Sequence, residues 1–122
     1  MIILQTTSQS LRATLGAGIS TTPLDLTAVY FDYLPQRTDT QQRFASQEET
    51  VSSATVTTMV NAPAADGIVR NITNLNVYNR DVTSATLTLL KLAGTVSTLQ
   101  VKQTLTTGQT LVYEHGTGWQ VL

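Results

Sequence analysis

His115 is the only histidine in the chain, and there is no cysteine. Thiolate chemistry, disulfides and zinc sites of the usual Cys and His kinds are therefore absent from the outset. Glu114 precedes His115, but neighbours on a strand point to opposite faces, so sequence adjacency does not make them a carboxylate–imidazole pair. No G-x-S-x-G elbow supplies a nucleophile for His115 to activate, and it reads as a histidine at the edge of a turn. Glu48 and Glu49 form the one adjacent acidic pair. A glycosidase needs two carboxylates at a set separation across a cleft, whereas this pair lies in a polar stretch that reads as solvated. Gly16-Ala17-Gly18 is a fragment of a dinucleotide fingerprint, without its third glycine or a surrounding βαβ pattern. Asn71-Ile72-Thr73 matches a glycosylation acceptor but falls inside a strand-like run. No acidic loop for calcium is present. Tyr78, Tyr113 and Trp119 suggest a sugar-stacking platform, although a Trp in a small β domain usually packs partly into the core. The residues thus predict no catalytic, cofactor or metal site.

The elements that would position these residues read as strands. From Asp66 to Leu122 the chain consists of short runs rich in Thr, Val, Leu, Ile and Tyr, each ending in Gly, Asn, Asp or Ser. Leu99, Val101, Gln103 and Leu105 alternate with Gln100, Lys102 and Thr104, which predicts one packed face and one wet face. Asp66-Gly67 reads as a hairpin signal, and Asn79-Arg80-Asp81, Gly94, Gly108 and Gly116–Gly118 as later turns. Ile68, Arg70 and Ile72 share one parity and Val69, Leu75 and Val77 the other, so a kink near Thr73-Asn74 is expected. Eight or nine strands with turns every eight to twelve residues predict a single antiparallel β-sandwich, of jelly-roll or immunoglobulin-like type, with a small barrel as the runner-up.

A chain of 122 residues is one domain with a core large enough to fold alone. Charged residues make up 12%, about half of the usual ~25%. Thr accounts for about a fifth of the chain; it suits a pleated surface and keeps it wet without charge. A net charge of −1 with no basic run gives no electrostatic footprint for nucleic acid. No apolar run approaches a membrane span, and Met1–Leu4 lacks the features of a signal peptide.

In chain order, residues 1–23 read as an extended arm ahead of a sandwich over 24–122. Its apolar side chains, Ile2, Ile3, Leu4, Leu11 and Leu15, are expected to meet a neighbouring protein. Leu24–Leu34 has apolar residues on both faces, Leu24, Leu26, Ala28 and Tyr30 on one, Val29, Phe31 and Tyr33 on the other. That pattern predicts burial on both sides or a partner on one. Residues 36–50 read as a long polar loop, with Phe44 its large apolar side chain and Arg37 and Arg43 its cations. Loops of that length in compact domains are usually functional or disordered, so Tyr30, Phe31, Tyr33, Arg37, Arg43 and Phe44 join the arm as expected partner contacts. Val51–Val60 reads as a strand with one slip in parity.

The segments VSSATVTTMVNAPAADGIVRNITNLNVYNRDVTSATLTLLKL and LVYEHGTGWQVL resemble small virion structural proteins of tailed bacteriophages. The resemblance rests on Ala62–Ala65, Arg70-Asn71-Ile72, Val77–Asp81, Thr110–Glu114 and Gly118–Val121, and covers roughly the last 75 residues. It implies a non-enzymatic virion protein, first of all a capsid decoration (cement) protein bridging major capsid subunits; neck, tail or fibre components and glycan-binding virion modules are the alternatives. It also implies a homo-oligomer, a trimer by analogy with decoration proteins at three-fold lattice positions, made in the host cytoplasm and located in the virion.

Overall fold

The computed structural model describes residues 1–34 and 43–122. Among them are ten strands and no helix: β1 (Ile2–Leu4), β2 (Gln9–Leu15), β3 (Leu24–Tyr33), β4 (Arg43–Val51), β5 (Thr57–Val60), β6 (Val69–Tyr78), β7 (Ala85–Ala93), β8 (Val96–Leu105), β9 (Thr110–Glu114) and β10 (Gly118–Val121). Every pairing is antiparallel. The first sheet runs β10-β9-β6-β3-β4, and β1 also pairs with β6. The second sheet runs β5-β2-β7-β8. β6 is flanked by β3 on one side; on the other, β1 lies along Arg70–Ile72 and β9 along Asn74–Tyr78. The pairs β2–β7 and β3–β6 are nested, and β4 contacts β5 where the chain passes between the sheets. This is the expected β-sandwich, with Greek-key nesting.

Period-two alternation builds the core. Leu24, Leu26 and Ala28 of β3 and Ile72, Leu75 and Val77 of β6 face Leu11, Ala13 and Leu15 of β2 and Leu87 and Leu89 of β7; all are buried. The parity change in β6 occurs where the sequence places it. Val29 pairs with Asn74 and Tyr30 with Ile72, so Thr73 is the extra residue of a bulge. Its hydroxyl donates to the Val29 carbonyl at 3.0 Å, and its own carbonyl accepts the His115 amide at 2.9 Å. Both carbonyls at the bulge are therefore partnered, and the extra residue lets Arg70 and Ile72 share the inner face with Leu75 and Val77.

Five expectations need correction. Residues 1–23 are not an arm: β1 completes the flank of β6, and β2 is an interior strand between β5 and β7. Ile2, Leu4, Leu11 and Leu15 are buried core side chains, and Ile3 is half-buried. The sandwich does not close without them, because β6 and β7 would each keep an unpaired flank. Residues 36–50 are not all loop: Arg43–Val51 forms the edge strand β4. It reads as polar because its outer face, Phe44, Ser46, Glu48 and Thr50, is exposed, and because Gln47 accepts the Asn61 amide (2.9 Å) and donates to Glu49 (3.1 Å) at the rim. Charged, polar edges resist pairing with other chains. Arg37 lies outside the described residues. Val51–Val60 is not one strand: Val51 ends β4 in the first sheet, residues 52–56 connect, and β5 belongs to the second; Asp66-Gly67 turns the chain between sheets rather than closing a hairpin, with Gly67 at φ 91°. In β8 the register passes from Leu89–Val101 to Leu90–Leu99, leaving Gln100 as a bulge. Leu99 is thereby turned to the outer face, where it is 57% exposed, while Leu105 stays in the core.

A polar hub joins the two sheets beyond the apolar core. Asn79 and Asp81, in the loop after β6, are both fully buried. The Asp81 carboxylate accepts the backbone amides of Ser20 (2.7 Å), Thr21 (2.9 Å) and Thr22 (3.1 Å) and the hydroxyls of Thr21 and Thr83. The Asn79 side chain donates to the carbonyls of Thr83 and Leu105 and accepts the Asp81 amide. Its backbone bonds Gly108 and Gln109. The short Asn-Arg-Asp turn thus fixes the β2–β3 connection and the β8–β9 turn together.

Candidate functional site

The strongest candidate lies on the outer face of the first sheet, where β3 leads out of the core. Phe31 and Tyr33 of β3 and Phe44 of β4 form one aromatic cluster, with ring centroids 5.7 Å (Phe31–Tyr33) and 5.6 Å (Phe31–Phe44) apart. Phe31 pairs directly with Phe44 on one side and with Asn71 on the other, and Asn71 pairs with Ile3 of β1. The row therefore crosses four strands. Phe44 is 71% exposed. A large aromatic ring held in water by its neighbours, on a rigid sheet, is the composition of a protein contact site.

Beneath this face an ionic anchor holds the end of β3. Arg70 lies on the inner face of β6 and donates to both oxygens of Asp32, at 2.8 and 2.9 Å. It also donates to the carbonyls of Asn61 (2.7 Å) and Ala62 (3.3 Å), and its guanidinium sits 4.1 Å from the centre of the Tyr30 ring. The Asp32 hydrogen bonds hold the Arg70 pKa above its ordinary value. A planar fork satisfies this set and an ammonium does not. Arg70→Lys is expected to lower unfolding free energy by about 1–2 kcal/mol, read by denaturant titration; an unchanged midpoint would remove the anchor from the account.

The expected contact residues therefore separate. Phe31, Tyr33 and Phe44 come together on the outer face; Tyr30 points the other way and packs under Arg70. Arg43 contributes its backbone to β4 opposite Asp32. The alternative aromatic platform does not assemble. Tyr113 and Trp119 pair at 4.9 Å, Tyr113 buried and Trp119 packed against the core, while Tyr78 is exposed on the opposite face of the sheet. Glu114 and His115 are both exposed beside the β9–β10 turn. Asn71 and Thr73 have the structural places already given.

Two shallow grooves hold the other motifs. Asp25, Thr27, Glu48, Glu49 and Thr50 line one of about 500 Å³ along β3 and β4. Gly16–Gly18 follows β2 with no helix after it and lines one of about 520 Å³ with Ser84, Thr86, Thr88 and Lys102. Among the described residues no three His, Asp or Glu side chains gather as a metal-binding group, and no helix is long and apolar enough to cross a membrane. The arrangement offers apolar and aromatic contact, hydroxyls and a few dispersed charges. What the sequence did not reveal is the cluster itself, because Phe44 stood in an apparent loop; the signal available was the apolar odd face of β3, which required a cover. No family model, no curated protein and no solved structure matches the chain.

Proposed function

We propose that this chain is a non-enzymatic structural protein of a tailed-bacteriophage virion, a capsid decoration (cement) protein that stabilises the shell by bridging major capsid subunits. The observation that carries the reading is the exposed cluster of Phe31, Tyr33 and Phe44 on a rigid, thinly charged sandwich. Aromatic anchors of this kind dominate the energy of protein interfaces. The phage assignment comes from the sequence resemblance, and so does the trimer. Thr-rich strands and low charge suit a permanent place in an assembly, where obligate interfaces are large and apolar. The mechanism is mass action: a protein that binds the assembled shell and not its free subunits stabilises the shell by its binding free energy. The aromatic cluster is the surface through which copies enter that assembly.

The test is co-sedimentation with shells lacking the protein. Wild type is expected to saturate them in hundreds of copies and to raise their melting temperature. Phe44→Ala is expected to weaken occupancy roughly tenfold without unfolding the domain. Wild type that leaves shells bare would overturn the assignment. A second reading, a neck, tail or fibre component contacting glycan, draws on the same exposed rings, which suit the apolar face of a sugar. A dozen copies or fewer per particle, with glycan-array binding lost in Phe44→Ala, would select it.

A further inference from the structure

The charges of this sandwich are sorted by sheet. Strands of the second sheet carry Arg12, Lys91 and Lys102 and no acid; strands of the first carry Asp25, Asp32, Glu48, Glu49 and Glu114 against Arg43 and Arg70. Asp32 is taken up by Arg70, and Asp25 meets Arg80 at 3.2 Å. Glu48 is exposed, and no ion pair occupies it among the described residues. Lys102 is exposed too, and no ion pair holds it among the described residues.

Each outer face also has an apolar end. On the second sheet, the β8 bulge turns Leu99 outward beside its partner Leu90, whose other neighbour is Arg12; Leu92 continues the row along β7. Lys102 lies farther along β8, opposite Thr88 on the same face. On the first sheet Phe44 and Phe31 form the apolar end, and Glu48 lies farther along β4, opposite Thr27. Phe44 and Glu48 are about 13 Å apart at the rise of an extended strand; Leu99 and Lys102, with the Gln100 bulge between them, are two ladder positions apart, about 7 Å. The two faces therefore match in order and in sign, and the long Lys102 and Glu48 side chains are left to span the difference in spacing.

We infer that the leucine-and-lysine face of the second sheet docks on the aromatic-and-glutamate face of the first sheet of another copy, head to tail. Leu90 and Leu99 cover Phe31 and Phe44, and Lys102 meets Glu48. The contact is heterologous: each copy presents one face of each kind, so a closing rotation gives a ring. This inference names the occupant of the aromatic cluster and rests on the proposal that copies assemble through it. It does not depend on the shell, so the test omits the shell.

The experiment is sedimentation equilibrium of the full chain alone, at low and high salt. Wild type is expected to self-associate, more weakly in high salt. Lys102→Glu and Glu48→Lys, both on exposed positions, are each expected to weaken association roughly tenfold or more, since each sets like charges face to face. The variant carrying both changes restores opposite signs at every contact and is expected to regain association. Circular dichroism and melting of all variants keep folding separate from assembly. A wild type that stays monomeric at its solubility limit overturns the inference, even if shells still bind it. Association indifferent to both single changes, or lost in each and not regained in the double variant, overturns it as well.

Discussion

Deleting residues 1–15 is expected to abolish folding. β2 lies between β5 and β7, and β1 fills the flank of β6 beside Arg70–Ile72. The deletion removes Ile2, Leu4, Leu11, Ala13 and Leu15 from the core. Full burial of each large apolar side chain contributes about 1.5–3 kcal/mol, and a domain's net stability is about 5–15 kcal/mol. The loss of four such side chains consumes most of that margin. It also exposes Leu87, Leu89 and Met59 and strips the β7 ladder of a partner. Leu11→Ala isolates one contribution: at zero exposure it is expected to cost about 2–5 kcal/mol. Far-ultraviolet circular dichroism and denaturant titration read both. A truncated chain that keeps a cooperative transition would mean that the remaining strands close a sandwich by themselves.

The second large effect is expected at the polar hub. Asp81→Asn replaces a carboxylate that accepts three backbone amides and two hydroxyls by a group with a single acceptor oxygen. The NH2 that replaces one oxygen faces donors, so either the Ser20 amide or the amides of Thr21 and Thr22 lose their acceptor, and the β2–β3 connection loosens from the β6–β7 loop. Asn79→Ala strips Thr83 and Leu105 of a donor, at about 1–3 kcal/mol. The Ser20 amide first, and the Thr21 and Thr22 amides after it, hold the Asp81 carboxyl well below the ordinary carboxylate range against the opposing effect of burial. A depressed folded-state pKa means that the unfolded chain binds the proton more readily. The stabilisation is therefore fully present above the unfolded value of about 3.9 and is lost as pH falls below it toward the folded value. Melting temperature against pH should show a steep acid limb for wild type. Asp81→Asn should be less stable at neutral pH, and its acid limb should be shallower. Equal slopes for the two proteins would assign acid unfolding to other carboxylates.

Strand content and turn positions were legible because alternation and Gly, Asn and Asp punctuation are local signals. Even the Thr73 bulge could be anticipated from the clash of parity between Ile72 and Leu75. Where the reading failed, the deciding partner was remote. Ile2–Leu4 and Gln9–Leu15 are short runs separated by polar residues, and only the free flanks of β6 and β7 make them core. Arg43–Val51 has no regular apolar alternation, with Phe44 and Val51 at opposite ends and on opposite faces, and it is a strand because β3 offers it a ladder. Leu99 faces outward through one extra residue in β8, which no periodicity within β8 discloses. For the aromatic cluster, Phe31 and Tyr33 were visible on the odd face of β3, but their neighbour Phe44 depended on the β3–β4 register. Asp81 read as an ordinary turn residue, because the amides it binds come from Ser20–Thr22.

The nesting of strands also sets the order of events as the chain is made. Ile2–Leu4 and Gln9–Leu15 leave the ribosome well before their partners, Arg70–Ile72 and Leu87–Ala93. At roughly 5–20 residues per second these apolar segments wait several seconds for the strands that cover them. Every such pairing closes a long loop before it gains a contact, which places the domain among the slow, high-contact-order folders. During that interval the nascent β2 is an unpaired, largely uncharged strand with only Arg12 to discourage pairing with another nascent copy. That exposure ends only when residue 93 has emerged and β7 can pair with β2.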